Sequence, residues 1–276
     1  MEVIKKNETL CVKSVVNTQE KHRFLFISDI HFDSKHCDKT TLKRILDEAL
    51  QHNAGIFIIG DWFDAMGHNK DPRSLKGDIK DLHQRDAYFN SIVDESAEFL
   101  KPYAKNIILI SKGNHEHSIL KHHEIDILSM LVYKLNSETD SQINIGKYYG
   151  WIRFLFLVKT GAWRESRDCY YTHGSGGGAI MSMGSLKTKR RQAIIDADIF
   201  VSGHDHQSLF VPIGKYYITQ QGVEKHKEVL HLQLGTFEET NAWARSKEFQ
   251  PASKSGYWLE FQVRNKELHA LEIRAK

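Results

Sequence analysis

The sequence contains few cysteines and no long apolar segment, and each shortage excludes a class of protein. The three cysteines, Cys11, Cys37 and Cys169, are scattered through 276 residues. They provide neither the disulfide framework of a small secreted protein nor the paired thiolates of a zinc finger, and they fit a reducing compartment. The densest apolar run, at 151–158, is interrupted by an arginine and is too short to cross a membrane. Because the first residues also lack the apolar core of a signal peptide, we expect a cytoplasmic protein that is not bound to a membrane.

A large excess of charge of one sign is also missing. The 38 Lys and Arg residues nearly balance the 35 Asp and Glu residues, and the formal net charge of +3 is too small to identify a polyanionic partner. The apolar fraction of 41% and the charged fraction of 26% are those of an ordinary globular protein. We expect residues 1–276 to form a single domain, and no feature specifies an oligomeric state. The sixteen histidines are unusual, so their positions are informative.

Short apolar segments alternate with amphipathic ones, a pattern typical of α/β proteins. Residues 1–22 are predicted to add a strand or hairpin. Further strands are predicted at 24–27, 56–59, 107–110, 151–158, 168–172, 199–201, 209–213, 216–219, 228–234, 257–263 and 267–274. Helices are predicted after the N-cap Asp38 and at about 78–100, 119–135 and 185–197. The strand–helix–strand order implies parallel strands with right-handed crossovers, so we predict an α/β fold with two packed, mixed β-sheets flanked by helices.

Five of the predicted strands end in residues that can bind a metal ion. In open α/β sheets, ligands bind outside the carboxyl ends of the strands. The candidate ligands at these ends are Asp29, His31, Asp61, Asn114, His173, His204 and His206. Because the five ends are distant in sequence but carry the same kinds of ligand, we predict that they converge on one metal site.

The spacing of two pairs of ligands predicts the direction of their side chains. In an extended segment, residues two apart point to the same side. The spacing of Asp29 and His31 therefore predicts that both point to the metal site, and the same holds for His204 and His206. Asp205, between the second pair, is predicted to face away.

Seven ligands are more than a single ion needs. One divalent metal ion takes about four to six ligands, so seven suit two ions that share a carboxylate. Two ions about 3.5–4 Å apart are a recurrent device of phosphoryl chemistry. They do not supply a proton for the leaving oxygen. His115 is adjacent to Asn114 but surplus as a ligand, which makes it the candidate general acid.

Five sequence blocks resemble the signature of the calcineurin-like metallophosphoesterases. In chain order they are Asp29-x-His31, Gly60-Asp61-x-x-Asp64, Gly113-Asn114-His115-Glu116, His173 and Gly203-His204-x-His206. Any single block is common in proteins, but the ordered set is specific. The resemblance implies a four-layer sandwich, two divalent metal ions, and hydrolysis of a phosphate ester by metal-bound hydroxide.

The resemblance also implies a role for each matching residue. One metal ion would be held by Asp29, His31 and His206. The other would be held by Asn114, His173 and His204. Asp61 would bridge the two ions, and His115 would be the catalytic histidine.

Three acidic residues are predicted to support the metal ligands. Asp64 and Glu116 accompany the ligands in the motifs, and we expect each to accept a hydrogen bond that orients a metal-binding histidine. Asp33 stands where many members of the family have glycine, as in some pyrophosphatase-like relatives. It is either a turn residue or a residue that contacts the metal ions or their ligands.

Several weaker features bear on the substrate. The basic residues Lys187, Lys189, Arg190 and Arg191 form either a solvated helix face or a phosphate-binding arm. Two tryptophans, Trp62 and Trp163, could stack on a base or belong to the core. The histidines His117, His122 and His123 are expected on the surface at the start of a helix, where one could contact a substrate phosphate.

The basic cluster favours a phosphodiesterase that acts on nucleic acid or nucleotides. The mixture of oxygen and imidazole ligands makes Mn²⁺ the first candidate metal, with Fe, Zn, Ni or Co as alternatives. Three other functions remain open. They are a phosphomonoesterase or protein phosphatase, a pyrophosphatase acting on a nucleotide-linked substrate, and a metal-bound scaffold without turnover. The presence of His115 argues against the scaffold, because a protein without turnover does not need the acid.

Overall fold

A computed structural model describes residues 1–17, 20–65, 87–158, 164–176, 185–240, 251–264 and 267–275. Within these residues the strands form two mixed sheets. The seven-stranded sheet has the order β1-β2-β7-β8-β9-β11-β10, and the six-stranded sheet has the order β13-β12-β3-β4-β5-β6. The two predicted mixed sheets are therefore confirmed. That residues 1–276 form one domain stays a prediction.

The strands of the seven-stranded sheet come from the start of the chain and from residues 149–233. They are β1 (Glu2–Lys6), β2 (Thr9–Val16), β7 (Tyr149–Val158), β8 (Arg164–Thr172), β9 (Ile199–Ser202), β10 (Leu209–Ile218) and β11 (Glu224–Gln233). β1 and β2 form the hairpin predicted for the start of the chain. The two strands predicted at 209–213 and 216–219 are one continuous strand, β10.

The six-stranded sheet contains the central parallel strands. Its members are β3 (Lys21–Ile27), β4 (Gly55–Ile59), β5 (Ile107–Ser111), β6 (Asn144–Gly146), β12 (Gly256–Arg264) and β13 (Glu267–Ala275). β3, β4, β5 and β6 are parallel neighbours, as the strand–helix–strand order predicts. β4 and β5 are buried at every position because both faces of this sheet are covered.

An aromatic cluster fills the space between the two sheets. Phe26 and Phe57 of the six-stranded sheet stack with ring centroids 4.7 Å apart, and Phe154 of the seven-stranded sheet lies 4.7 Å from Phe24. All four rings are buried. This packing holds the two sheets face to face, so that strand ends in different sheets lie side by side.

Helices cover the outer faces of both sheets. They are α1 (Lys39–Gln51), α2 (Tyr88–Leu100), α3 (Asn114–His123), α4 (Ile127–Thr139) and α5 (Ser185–Ile194). α1 starts at the predicted cap, because the Asp38 carboxylate accepts a hydrogen bond from the backbone N–H of Thr41 at 3.0 Å. α1, α2 and α4 pack on the six-stranded sheet, and α5 lies over the seven-stranded sheet. Helix, sheet, sheet and helix make the four layers.

The prediction of a single helix at 119–135 is wrong, because two helices occupy this region. α3 ends where Glu124 takes up a left-handed conformation with φ of 58°. α4 then begins at a new cap, in which the Asp126 carboxylate accepts a hydrogen bond from the N–H of Ser129 at 3.2 Å. The periodicity of the apolar residues continues across this break and conceals it.

The helix predicted at 78–100 is confirmed from Tyr88 onwards, and residues 78–86 lie outside the described residues. Within the part of the chain that is described, no helix is both long enough and apolar enough to span a bilayer.

Candidate metal centre

The candidate ligands lie where parallel strands of both sheets end. The loops after β3, β4 and β5 carry Asp29, His31, Asp61 and Asn114, and the loops after β8 and β9 carry His173, His204 and His206. β8 and β9 are adjacent and parallel in the seven-stranded sheet. Since the sheets are packed face to face, the five loops meet at one end of the sandwich.

One cluster of ligands combines the loop after β3 with the loop after β9. Asp29, His31 and His206 each offer a ligand atom within 4.8 Å of the others. Oδ1 of Asp29 lies 3.3 Å from Nε2 of His206, and Nε2 of His31 also lies 3.3 Å from that nitrogen. These are the three residues predicted to hold one ion.

A second cluster combines the loops after β4, β5, β8 and β9. Asp61, His173 and His204 form this group, and Nε2 of His173 lies 3.0 Å from Oδ2 of Asp61. Oδ1 of Asn114 lies 3.0 Å from Nε2 of His173 and 2.8 Å from Nδ1 of His204. The structure thus brings together all four residues predicted around the other ion.

The two clusters are in contact. Nε2 of His173 in the second cluster lies 4.0 Å from Oδ1 of Asp29 in the first. His115 lies beside both, with Nε2 3.9 Å from Oδ2 of Asp61 and its ring centroid 4.7 Å from that of His31. The arrangement places two groups of potential metal ligands in contact, with a histidine next to them. That Asp61 is the bridging ligand stays a prediction.

Buried atoms without a partner indicate that the site is built for a group other than protein. Oδ1 of Asp29 and Nδ1 of His31 are buried and lie 3.3 Å from the ionisable side chains of His206 and Asp64, respectively, but neither atom forms a hydrogen bond with the described residues. Leaving such a group without a partner costs about 1–3 kcal/mol, so native proteins rarely do so without a reason. Carboxylate oxygens and imidazole nitrogens that converge in this way fit divalent metal ions.

The electrostatics of the site also call for positive charge. Burial alone would lower the pKa of His173, but the carboxylates of Asp61 and Asp29 raise it to about 10. Burial would likewise raise the pKa of Asp61, but His173 and His115 hold it well below its usual range. The Asp61 carboxylate therefore stays ionised next to His173, and bound cations can supply the same positive charge.

The ligand loops have an unusual backbone. Of the ten non-glycine residues with positive φ in the described part of the chain, five are candidate ligands: Asp29, His31, Asp61, His204 and His206. A left-handed conformation costs a residue with a Cβ atom about 1–2 kcal/mol, and such strain concentrates at functional sites. The paired ligands do point to the same site, but the predicted reason, an extended backbone, is wrong. Each pair reaches the site from tight left-handed turns.

Comparison with known proteins identifies the family. Residues 22–208 match the sequence profile of the calcineurin-like phosphoesterase family, which is more than half of the chain. The chain belongs to the calcineurin-like phosphoesterases. The predicted family is therefore confirmed, and with it metal-dependent hydrolysis of phosphate esters as the general activity. A search of curated protein sequences found no match.

Two solved structures illustrate what the phosphoesterase resembles. Vacuolar protein sorting 29 from Cryptosporidium parvum is 16% identical, with 93% of this chain and 99% of that chain covered and a TM-score of 0.39. A metallophosphoesterase from Sphaerobacter thermophilus is 13% identical, with 92% of this chain and 89% of that chain covered and a TM-score of 0.38.

Asp64 of the phosphoesterase contacts two histidines of the site, as predicted. Its Oδ1 lies 3.3 Å from Nδ1 of His31 and 3.5 Å from Nδ1 of His115. Its backbone oxygen lies 2.6 Å from Nδ1 of His115. Asp64, His31 and His115 also form a third group of potential ligands, so metal analysis of a His115 variant is needed to separate ligation from acid catalysis.

Glu116 does not orient a histidine, and this prediction is wrong. Its buried carboxylate accepts hydrogen bonds from the backbone N–H groups of Asp61, Phe63 and Gly113, at 3.2, 3.0 and 2.8 Å. It therefore ties the loop after β4 to the loop after β5. Burial and the nearby Asp61 carboxylate raise the pKa of Glu116.

Replacing Glu116 with glutamine should destabilise the phosphoesterase by about 2–4 kcal/mol, because an amide NH₂ would face backbone donors where a carboxylate now accepts. Urea unfolding in EDTA measures this loss without interference from metal binding. The control is Glu138→Gln, which changes an exposed residue of α4 paired with Lys101. Equal stability of the two variants would show that the Glu116 carboxylate does not hold the loops together.

Asp33 was predicted to contact the metal ions or their ligands or to be a turn residue, but it contacts the segment that carries the supporting residue Asp64. It is buried, and its carboxylate accepts hydrogen bonds from the N–H groups of Asp64 and Ala65, at 2.7 and 2.9 Å, and from the Tyr88 hydroxyl at 2.8 Å. Asp33 thus fixes the segment that carries Asp64 and connects it to α2. These bonds give the carboxylate a structural role, so it no longer points to a pyrophosphatase.

Of the two alternatives left open for Trp62, base stacking or the core, the structure shows the core. Its side chain is 0% exposed and stacks on Phe32 with ring centroids 5.1 Å apart. Trp163 lies outside the described residues. His117 and His122 are exposed as predicted, but they lie in the middle and last turns of α3 rather than at its start, and His123 packs against Phe89.

The basic residues of α5 do not form one surface. Lys189 and Arg190 are exposed. Lys187 donates hydrogen bonds to Oδ1 of Asp205 at 2.6 Å and to the backbone oxygen of Gly176 at 2.8 Å. Arg191 lies against the sheet, where burial lowers its pKa. Asp205 therefore faces away from the ligands, as predicted, and anchors α5 to the loop that carries His204.

Three residues that support the site were not predicted. The Ser28 hydroxyl donates to the Asp29 carboxylate and contacts the Ile59 oxygen. The Thr236 hydroxyl donates to the backbone oxygen of Asp29 at 2.6 Å, and the ring of Tyr148 lies 5.4 Å from that of His173. Thr236 could have been found from the sequence, because it follows another strand that ends at this edge of the sandwich.

Proposed function

We propose that this phosphoesterase is a dinuclear enzyme that hydrolyses phosphodiesters of nucleic acid or nucleotides. The observation that carries the proposal is the contact between the two ligand clusters, in which Oδ1 of Asp29 faces Nε2 of His206 at 3.3 Å and Nε2 of His173 at 4.0 Å. Two cations held this close can act on one phosphoryl group. The three free cysteines support a reducing, cytoplasmic location.

The seven candidate ligands would hold the ions as three on one side, three on the other and Asp61 between them. Mn²⁺ is the metal we propose first, because the set mixes hard oxygens with imidazoles. When bound, such a pair of ions lowers the pKa of a water molecule and neutralises charge on the phosphoryl oxygens.

His115 supplies the proton that the leaving oxygen needs. Its Nδ1 lies 2.6 Å from the backbone oxygen of Asp64, and a carbonyl oxygen can only accept, so Nδ1 carries a proton. Nε2 is then the atom that faces the Asp61 carboxylate and the ligands. A histidine held in this way can donate from Nε2 to the substrate.

The preference for a diester rests on α5. Lys189 and Arg190 are exposed on this helix, and the bond between Lys187 and Asp205 fixes it next to the ligands His204 and His206. Cations beside the site favour a substrate that carries further phosphates along its chain.

A panel of substrates tests the proposal. With Mn²⁺ added, kcat/KM for bis(p-nitrophenyl) phosphate should exceed that for p-nitrophenyl phosphate by about tenfold or more, and EDTA should abolish both activities. Elemental analysis should find two ions per chain. A preference for the monoester would contradict the diester assignment, cleavage of a dinucleotide pyrophosphate alone would favour a pyrophosphatase, and bound metal without turnover would favour a scaffold.

A further inference from the structure

The hairpin β10–β11 extends beyond the sheet that it belongs to. β11 pairs with β9 only over Leu230–Gln233, whereas it pairs with β10 along its whole length. The segments 213–218 and 224–229 therefore form a two-stranded ribbon. An isolated two-stranded ribbon is at best marginally stable in water, so an extension of this kind needs a reason.

The charges of the ribbon are divided between its two faces. Residues opposite each other in an antiparallel pair share a face, and so do residues two apart. Lys215 is opposite Lys227, and Tyr217 is opposite Lys225, so these four residues share one face, the lysine face. The acidic residues Glu224 and Glu228 alternate with the lysines and point to the other side.

The lysine face is not neutralised within the described residues. Lys227 forms an ion pair with Asp198 at 2.8 Å. Lys215 and Lys225 form no ion pair with any residue that the structure describes. Like charges directly opposite each other destabilise a strand pair; Asp198 offsets the charge of Lys227, whereas Lys215 and Lys225 leave two charges that an external anion can neutralise.

The positive charge continues from the ribbon towards the metal centre. His231 is on the same face of β11 as the lysines, and Arg191 of α5 lies over it. Burial lowers the pKa of His231 to about 4, and the charges of Arg191 and Lys215 act in the same direction. Lys187, one helical turn before Arg191, bonds to Asp205 beside the ligands. Because His231 with this pKa is uncharged at neutral pH, the row of cations along the outer face of the seven-stranded sheet consists of the ribbon lysines, Arg191 and Lys187.

We propose that the lysine face binds the phosphate backbone of a nucleic-acid duplex and delivers the bound duplex along this row to the metal centre. The inference rests on the proposed phosphodiesterase function, which it supplies with a substrate class. A two-stranded ribbon fits the major groove of a duplex, which is about 12 Å wide. Lysines on only one of its faces are suited to a polyanion and leave the other face to solvent.

The dimensions agree with a duplex that spans both regions. Lys225 and Gln233, which lies at the end of β11 nearest the ligands, are eight residues apart, or about 26 Å along the strand. A duplex covers this length with about eight base pairs. A duplex that contacts the ribbon therefore reaches the edge of the sandwich where the candidate ligands lie.

A charge-matched pair of double variants tests the inference. Lys215→Gln/Lys225→Gln removes the two unpaired lysines, and Lys5→Gln/Lys6→Gln removes two exposed lysines from β1 at the opposite edge of the same sheet. Binding of a fluorescein-labelled 20-base-pair duplex is measured by anisotropy in EDTA at several NaCl concentrations. The ribbon variant should bind about tenfold more weakly at 100 mM salt, with the slope of log K against log [salt] reduced by about two, while the β1 variant stays within about twofold of the wild type.

The controls separate this inference from the proposed function. Hydrolysis of bis(p-nitrophenyl) phosphate should be the same in the wild type and both variants, because this substrate does not reach the ribbon. If the wild type hydrolyses the diester but the ribbon variant binds the duplex like the wild type, the inference fails and the proposed function stands. If the wild type has no hydrolase activity but loses duplex binding with the ribbon lysines, the proposed function fails and the binding surface stands. A loss confined to a single-stranded 20-mer, or a change of oligomeric state, would also overturn the inference.

Discussion

Replacing His115 with asparagine should lower turnover by about 10²–10⁴-fold while the protein keeps its full complement of metal. Asparagine can still donate from its side chain, but it cannot release a proton to the leaving oxygen. Activity and metal content can change independently in this variant, because Nε2 of His115 lies 3.9 Å from Oδ2 of Asp61 but His115 belongs to neither of the two clusters that contain the predicted ligands.

The measurement is kcat for the diester together with elemental analysis of the same sample. His117→Asn is the matched control, since His117 is on the same helix two residues later and is exposed. Metal lost together with activity in the His115 variant would make His115 a ligand, within the group that it forms with His31 and Asp64. Full activity with full metal would remove His115 from the reaction.

Replacing Asp61 with asparagine should reduce the metal content to one ion or fewer and lower turnover by about 10³-fold or more, which corresponds to several kcal/mol of lost transition-state stabilisation. The substitution preserves the size of the side chain. It also keeps a side-chain oxygen that can accept the hydrogen bond that the backbone N–H of His115 now donates to Oδ1 of Asp61 at 3.0 Å. It removes the negative charge that faces His173. We therefore expect metal content and turnover to fall because negative charge is lost at the centre of the site, and not because the shape of the site changes.

Asp205→Asn is the control for this experiment. Asp205 lies between the ligands His204 and His206 in sequence, yet its carboxylate binds Lys187 instead. Elemental analysis and diester hydrolysis should therefore find this variant close to the wild type in metal content and turnover. Two ions still bound to the Asp61 variant would show that another carboxylate connects the ions, and Asp29 is the one that lies between both clusters.

The sequence was sufficient to locate the candidate ligands at one edge of the sandwich, because they follow closely on predicted strands. A run such as Ile56–Ile59 is recognised locally, and the residue after Gly60 must then lie at the end of the sheet. The family signature depends on the same positions. The direction of the side chains could not be predicted in this way, since the left-handed backbone of Asp61 becomes visible only in three dimensions.

Other predictions failed where contacts distant in sequence decide the outcome. Glu116 bonds to the backbone of Asp61, 55 residues earlier, and no local pattern reports that contact. For Trp62, where the sequence left base stacking and the core open, the answer likewise depends on a distant contact, because Phe32 of a neighbouring loop covers its ring. Part of the division of α5 could have been predicted, because Lys187 and Arg191 are four residues apart and share a helix face that Lys189 does not. Arg190, three residues after Lys187, lies at the edge of that face.

Neither sheet carries a complete set of ligands for either cluster. The six-stranded sheet provides Asp29 and His31 to one cluster, and the seven-stranded sheet provides His206. Bound cations would therefore connect the two halves of the sandwich, and chelation would remove these connections as well as the activity. An ion that binds only the assembled pair of sheets stabilises that assembly by mass action, so the resistance of this fold to unfolding rises with the concentration of free cation around it.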